Sequence, residues 1–124
     1  MSAQRKVTSS DLLSLEPVDL MEYLTENFSI QVPSAVTTAE DLEQAARILS
    51  QAYSYYSFLT SMRMTARLQK RELKNQKESR AEIEKMLARE EAFEMQAGIA
   101  KHAYDTVSRM VTIKQQINQE MKMV

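Results

Sequence analysis

No cysteine and no tryptophan occur among the 124 residues, and glycine and histidine appear once each, as Gly98 and His102. These scarcities remove whole classes of chemistry. Without Cys the chain can build neither a disulfide nor a thiolate zinc site, a composition that fits a reducing compartment and leads us to expect the cytoplasm. His102 has no second His to share a metal with, and its nearest carboxylate in helical register is Asp105, three residues on, a spacing too common to signal chemistry. The Glu-x-x-His pairs that four-helix di-iron sites use are missing too. Gly98 alone cannot make a phosphate-cradling loop, and no Ser sits in a nucleophile motif. We therefore expect no enzyme, no catalytic residue, no metal and no cofactor. Long apolar runs are also lacking. No stretch approaches the roughly 20 residues that span a bilayer, and the opening MSAQRKVTSSDLL is basic without the apolar segment of a secretory signal, so a soluble chain is expected.

What remains is rich in Ala, Leu, Met, Glu, Gln, Lys and Arg, residues that lower the free energy of helix almost everywhere. The expected fold is all-α: a long antiparallel, coiled-coil-like helical hairpin carrying one or two short N-terminal helices, all within a single domain, 1–124. Residues 1–9 read as a mobile tail. Short helices fill 10–27, with Ser10 as a cap, Leu12, Leu13 and Leu15 as the first apolar face, and Pro17 tolerated in a first turn. The stretch FSIQVPSAV, residues 28–36, loses helical periodicity and reads as a linker laying Phe28, Ile30 and Val32 on the hairpin.

A long helix is expected over 38–75, capped by Thr37 or Thr38 and acidic in its first turn, as the helix dipole favours. Along it Ala45, Ala52, Leu59, Ala66 and Leu73 recur every seven residues, flanked by Leu42, Leu49 and Tyr56 on one side and Ile48, Tyr55 and Met62 on the other. Ser79 with Glu82 forms a capping-box pattern just before Ile83, which places a turn near 75–79 and a second long helix over 79–122. That helix repeats the apolar pattern through Ile83, Met86, Phe93, Ala97, Ala100, Tyr104, Val107, Val111, Ile117 and Met121. Gly98 suggests close helix approach or a kink. The rival geometry is one continuous helix from 38 to 122, because NQKES contains neither Gly nor Pro.

The net charge of −1 sums unlike parts. Residues 1–35 carry −3, 36–62 carry −2, 63–77 carry +5, 78–94 carry −3 and 95–124 carry +2. In the basic block Arg63, Arg67, Lys70, Lys74 and Lys77 are spaced alternately four and three apart, which lays them in one stripe, with Arg71 beside it and Arg80 beyond the turn. Such a stripe can track phosphates. It can equally pair across the hairpin with Glu82, Glu84, Glu90 and Glu91, Arg63 lying near the level of Glu91 and Lys70 near that of Glu84. No aromatic interrupts the block to stack on bases.

Tyr53, Tyr55, Tyr56 and Phe58 crowd one helical segment and cannot all face the same neighbour, since successive positions differ by about 100°. Tyr53, with Met64 and Leu68, falls on the side away from the second long helix. Cover by residues 12–32 or by another chain is expected there, which makes Tyr53, Tyr56, Phe58, Met64 and Leu68 the interface candidates. Size and hairpin plan resemble those of the small secreted WXG-type proteins, but without Trp or their turn motif that family is set aside. The closing YDTVSRMVTIKQQINQEMKM resembles small helical accessory proteins of bacteria or their phages and attaches to no named family. The function expected is a protein-binding or self-associating assembly module, with an accessory nucleic-acid-binding protein using Arg63 to Arg80 as the alternative.

Overall fold

The computed structural model describes residues 7–122, which hold four helices and no strand: α1 (Ser9–Ser14), α2 (Pro17–Asn27), α3 (Ala39–Asn75) and α4 (Arg80–Lys122). The first six residues of the expected tail lie outside the described residues; within them Ser9 already belongs to α1. Its cap is Thr8 rather than Ser10, because Thr8 and Asp11 satisfy each other. The Thr8 hydroxyl accepts from the Asp11 amide at 3.2 Å, and the Asp11 carboxylate accepts from the Thr8 amide at 3.0 Å. Pro17 opens α2 at a first-turn position where its missing N–H is not needed.

Thr38 caps α3 through the same reciprocal geometry with Asp41. The backbone amides of Thr37 and Thr38, aided by the Thr37 hydroxyl, hold the Asp41 carboxyl below its ordinary range. The helix is 37 residues long and its partner α4 is 43, so at 1.5 Å per residue they run about 55 and 65 Å. Between them the chain reverses at 76–79, and the continuous-helix alternative does not occur. Lys77 adopts φ 57°, the left-handed region. The Glu78 amide donates to the Leu73 carbonyl at 3.0 Å and the Lys77 amide to that of Lys74 at 3.2 Å, the double bond pattern that closes a helix when its next residue turns left-handed. Ser79 then precedes α4, its hydroxyl accepting from the Glu82 amide at 3.4 Å.

The seam follows the seven-residue ladder. Ala45, Ala52, Leu59 and Ala66 have no exposed surface, and Phe93, Ala100 and Val107 meet the same condition on α4. Alanine at successive levels lets two helices approach at the short end of the 8–10 Å range. On one side of the hairpin Leu12, Leu13, Leu20 and Leu24 complete a cluster with Leu59, Met62, Ala66, Met86 and Phe93. Burying a leucine such as Leu20 contributes about 1.5–3 kcal/mol. Toward the open end a smaller cluster joins Val36, Ala45 and Val107.

The linker differs from expectation. Phe28 packs, with its ring parallel to Phe58 at 5.5 Å and edge-on to Tyr55 at 4.9 Å, and Ile30 is half-buried, but Val32 is exposed and Val36 is the buried valine. On α4, Tyr104, Ile117 and Met121 are exposed rather than packed. Opposite the end of α4 stand the first turns of α3, which offer Glu40, Asp41, Glu43 and Gln44 and little apolar surface. Gly98 answers to no close approach, for a Cβ built there meets nothing within 4 Å.

Polar side chains of α4 fix the short helices. Arg89 donates from Nε to the carbonyl of Leu15, the C-cap of α1, at 2.8 Å, and Gln96 donates to the carbonyl of Phe28, the C-cap of α2, at 3.2 Å. Lys85 adds an ion pair with Glu16 at 3.3 Å. Arg89 and Gln96 are seven residues apart and nearly buried, so one face of α4 serves the orphan carbonyls of both helix ends.

Candidate functional site

The short helices cover only one side of the hairpin. Tyr55 and Phe58 point to that side, where Phe28 takes them up, and Phe58 thereby leaves the list of free surface residues. Tyr53 stands about 200° around the helix from Tyr55, and among the described residues no segment covers it. Tyr53, Met64 and Leu68 are 64 %, 47 % and 58 % exposed. The expected cover by residues 12–32 therefore does not occur within the chain, for those residues are engaged by Arg89, Gln96 and the leucine cluster on the other face.

Beside this row lies a cavity of about 220 Å³ lined by Tyr53, Tyr56, Lys101, Tyr104 and Asp105. The rings of Tyr53 and Tyr104 stand 6.5 Å apart at 53°, so α3 and α4 build its walls jointly. Tyr104 follows the apolar period of α4, yet it is exposed, while Ala100, Ala103 and Val107 on the same helix are buried. Its role, like that of Asp105 and Lys101, is hidden from a reading of single-helix periodicity.

The basic stripe divides. Glu90, nearly buried, accepts from Arg67 Nε at 2.7 Å and from Lys70 Nζ at 2.6 Å, and Arg63 pairs with Glu94 at 3.7 Å. Burial alone pushes the Glu90 carboxyl upward; the hydrogen bonds and charges of Lys70 and Arg67 outweigh it and hold the group below its ordinary range. The same bond to Glu90 raises Arg67. Each partner on α4 lies about one to two turns farther from the hairpin bend than simple counting places it: Arg63 meets Glu94, not Glu91, and Lys70 meets Glu90, not Glu84. Side chains lean toward their own helix N-terminus. In an antiparallel pair the lean of the cation and that of the carboxylate add in the same sense.

Glu84 pairs instead with Arg80 on its own helix at 3.0 Å, and Glu82 and Glu91 make no ion pair among the described residues. Arg71, Lys74 and Lys77 are exposed and likewise have no ion-pair partner there. A shallow groove of about 320 Å³ between Arg67, Lys70, Arg71 and Lys74 marks this end of the face. The Arg63 Nε is buried without a hydrogen-bond partner. Further apolar exposure lies along α4, at Met95, Ile99, Ile113, Ile117 and Met121, on a side that the sequence pattern assigned to the core or left unremarked.

Among the described residues no group of three or more His, Asp or Glu side chains is placed to share a metal ion, and no helix is long and apolar enough to cross a membrane. The chain matches no known family model, no curated protein and no solved structure.

Proposed function

We propose that this chain is a non-enzymatic assembly module that associates, in the simplest case with itself, through the outer face of α3. One observation carries the reading: Tyr53, Met64 and Leu68 stand exposed on a helix that α4 packs on one side and that Phe28 and the leucine cluster meet at Tyr55, Phe58, Leu59 and Met62. Single exposed apolar side chains are ordinary. These recur eleven and then four residues apart, spacings close to whole helical turns, so they form a row that continues into the tyrosine cavity. Size-exclusion chromatography with light scattering tests it. A mass that rises above one chain with concentration, and falls back for Leu68→Glu, is the expected result; a strict monomer removes self-association.

A second reading, an accessory nucleic-acid-binding protein, draws on Arg71, Lys74 and Lys77 and on the groove they border. Glu90 weighs against it by occupying Arg67 and Lys70, which leaves few charges for phosphates. Fluorescence anisotropy with single- and double-stranded oligonucleotides at low salt discriminates. Binding that weakens alike for every sequence when Arg71 and Lys74 are neutralised supports this reading; we expect no binding.

A further inference from the structure

The outer face of α3 is complementary to itself. Following the helix, Tyr53, Ser57, Thr60, Met64, Arg67 or Leu68, and Arg71 fall on one narrow stripe, spaced four and three apart in turn. About a point level with residue 62, Tyr53 and Arg71 lie equally far to either side, as do Tyr56 and Leu68, and Thr60 and Met64. A two-fold axis there sets each small or aromatic residue of one helix opposite a long one of the other. Charge favours the same sense: in this register residues 63–77, which carry +5, face residues 47–61, whose one charged side chain is Arg47, whereas a parallel arrangement sets +5 against +5.

The cavity supplies the second half of the match. Tyr53, Tyr56 and Tyr104 line it, and Asp105 adds a carboxylate that makes no ion pair among the described residues. Aromatic faces with one carboxylate at the rim suit a planar cation, and a guanidinium stacks there better than a compact ammonium. Lys101, at the same rim, is exposed and can carry its charge outward on its flexible stem. Arg71, exposed and without an ion-pair partner among the described residues, is the arginine at the symmetry-related position.

We propose that two copies dock α3 against α3 in antiparallel sense, each seating its Arg71 guanidinium in the other's cavity of Tyr53, Tyr56, Tyr104 and Asp105. The proposal rests on the assembly reading above and specifies its partner and geometry. Light scattering and sedimentation equilibrium on the full chain provide the test, with circular dichroism to verify folding. Arg71→Glu and Asp105→Arg should each raise the dimer dissociation constant about tenfold or more, and the double variant should recover much of the affinity because the charges are exchanged at both sites.

Because the chain has no cysteine, orientation can be read by mixed oxidation. A Thr60→Cys chain should cross-link to a Met64→Cys chain faster than either does to itself. A dimer indifferent to both charge reversals, or lost through Ile113→Asp but not through Leu68→Glu, overturns the docking geometry and leaves assembly standing. A chain that stays monomeric into the millimolar range overturns both.

Discussion

Lys77 holds a backbone conformation that its own side chain opposes. At φ 57° its Cβ crowds the following carbonyl, a strain of about 1–2 kcal/mol for an L-residue, partly offset in glycine by the freedom it loses on folding. Lys77→Gly should therefore raise stability by about 0.5–1 kcal/mol, read as a shifted urea midpoint at unchanged slope, whereas Lys77→Val should lower it. Glu90 is the residue at which pH should act. Its carboxyl is held below the ordinary value of 4.5 in the folded chain, so the unfolded chain takes up that proton first as pH falls. Stability from this group is complete above that ordinary value and is lost as pH descends through the folded one; Asp41 adds the same dependence from 3.8 downward. Glu90→Gln should flatten the acid limb of a stability–pH profile. At neutral pH it should cost about 1–3 kcal/mol, kept modest because Arg67 can return to water.

At the scale of elements, the helices and their turn are written in the sequence. Thr38, Ser79 and the ladder Ala45, Ala52, Leu59 and Ala66 declare where each long helix starts and which side it buries, because a cap and a helical period are local signals. Arg89 and Gln96 are not legible in that way. Their partners, the carbonyls of Leu15 and Phe28, lie 74 and 68 residues away in the chain, and no period within α4 tells a buried arginine from a solvated one. The tyrosine cavity is hidden for the same reason, since three of its five lining residues come from α4; of its residues, the interface expectation contained only Tyr53 and Tyr56. The ion pairs were legible in kind but not in register, which depends on how side chains lean. The docking of the short helices is open to test. Arg89→Ala should destabilise the protein by about 2–3 kcal/mol through lost packing and an unsatisfied carbonyl, and hydrogen exchange should quicken first in α1 and α2.

The molecule as a whole is an elongated hairpin with unequal faces: one closed by the short helices, the other bearing the tyrosine cavity and the unpaired cations. Its N-terminal third is tied on by bonds that span most of the chain, and that fact sets an order in time. The bend at Lys77 brings together residues only a few positions apart, so α3 and α4 can zip from it at little loop entropy. The surface that receives α1 and α2 does not exist until α4 has formed beyond Gln96. Refolding should accordingly begin at the bend and finish with the short helices. Stopped-flow traces should show Lys77→Gly speeding refolding, while Arg89→Ala leaves that rate nearly unchanged and accelerates unfolding.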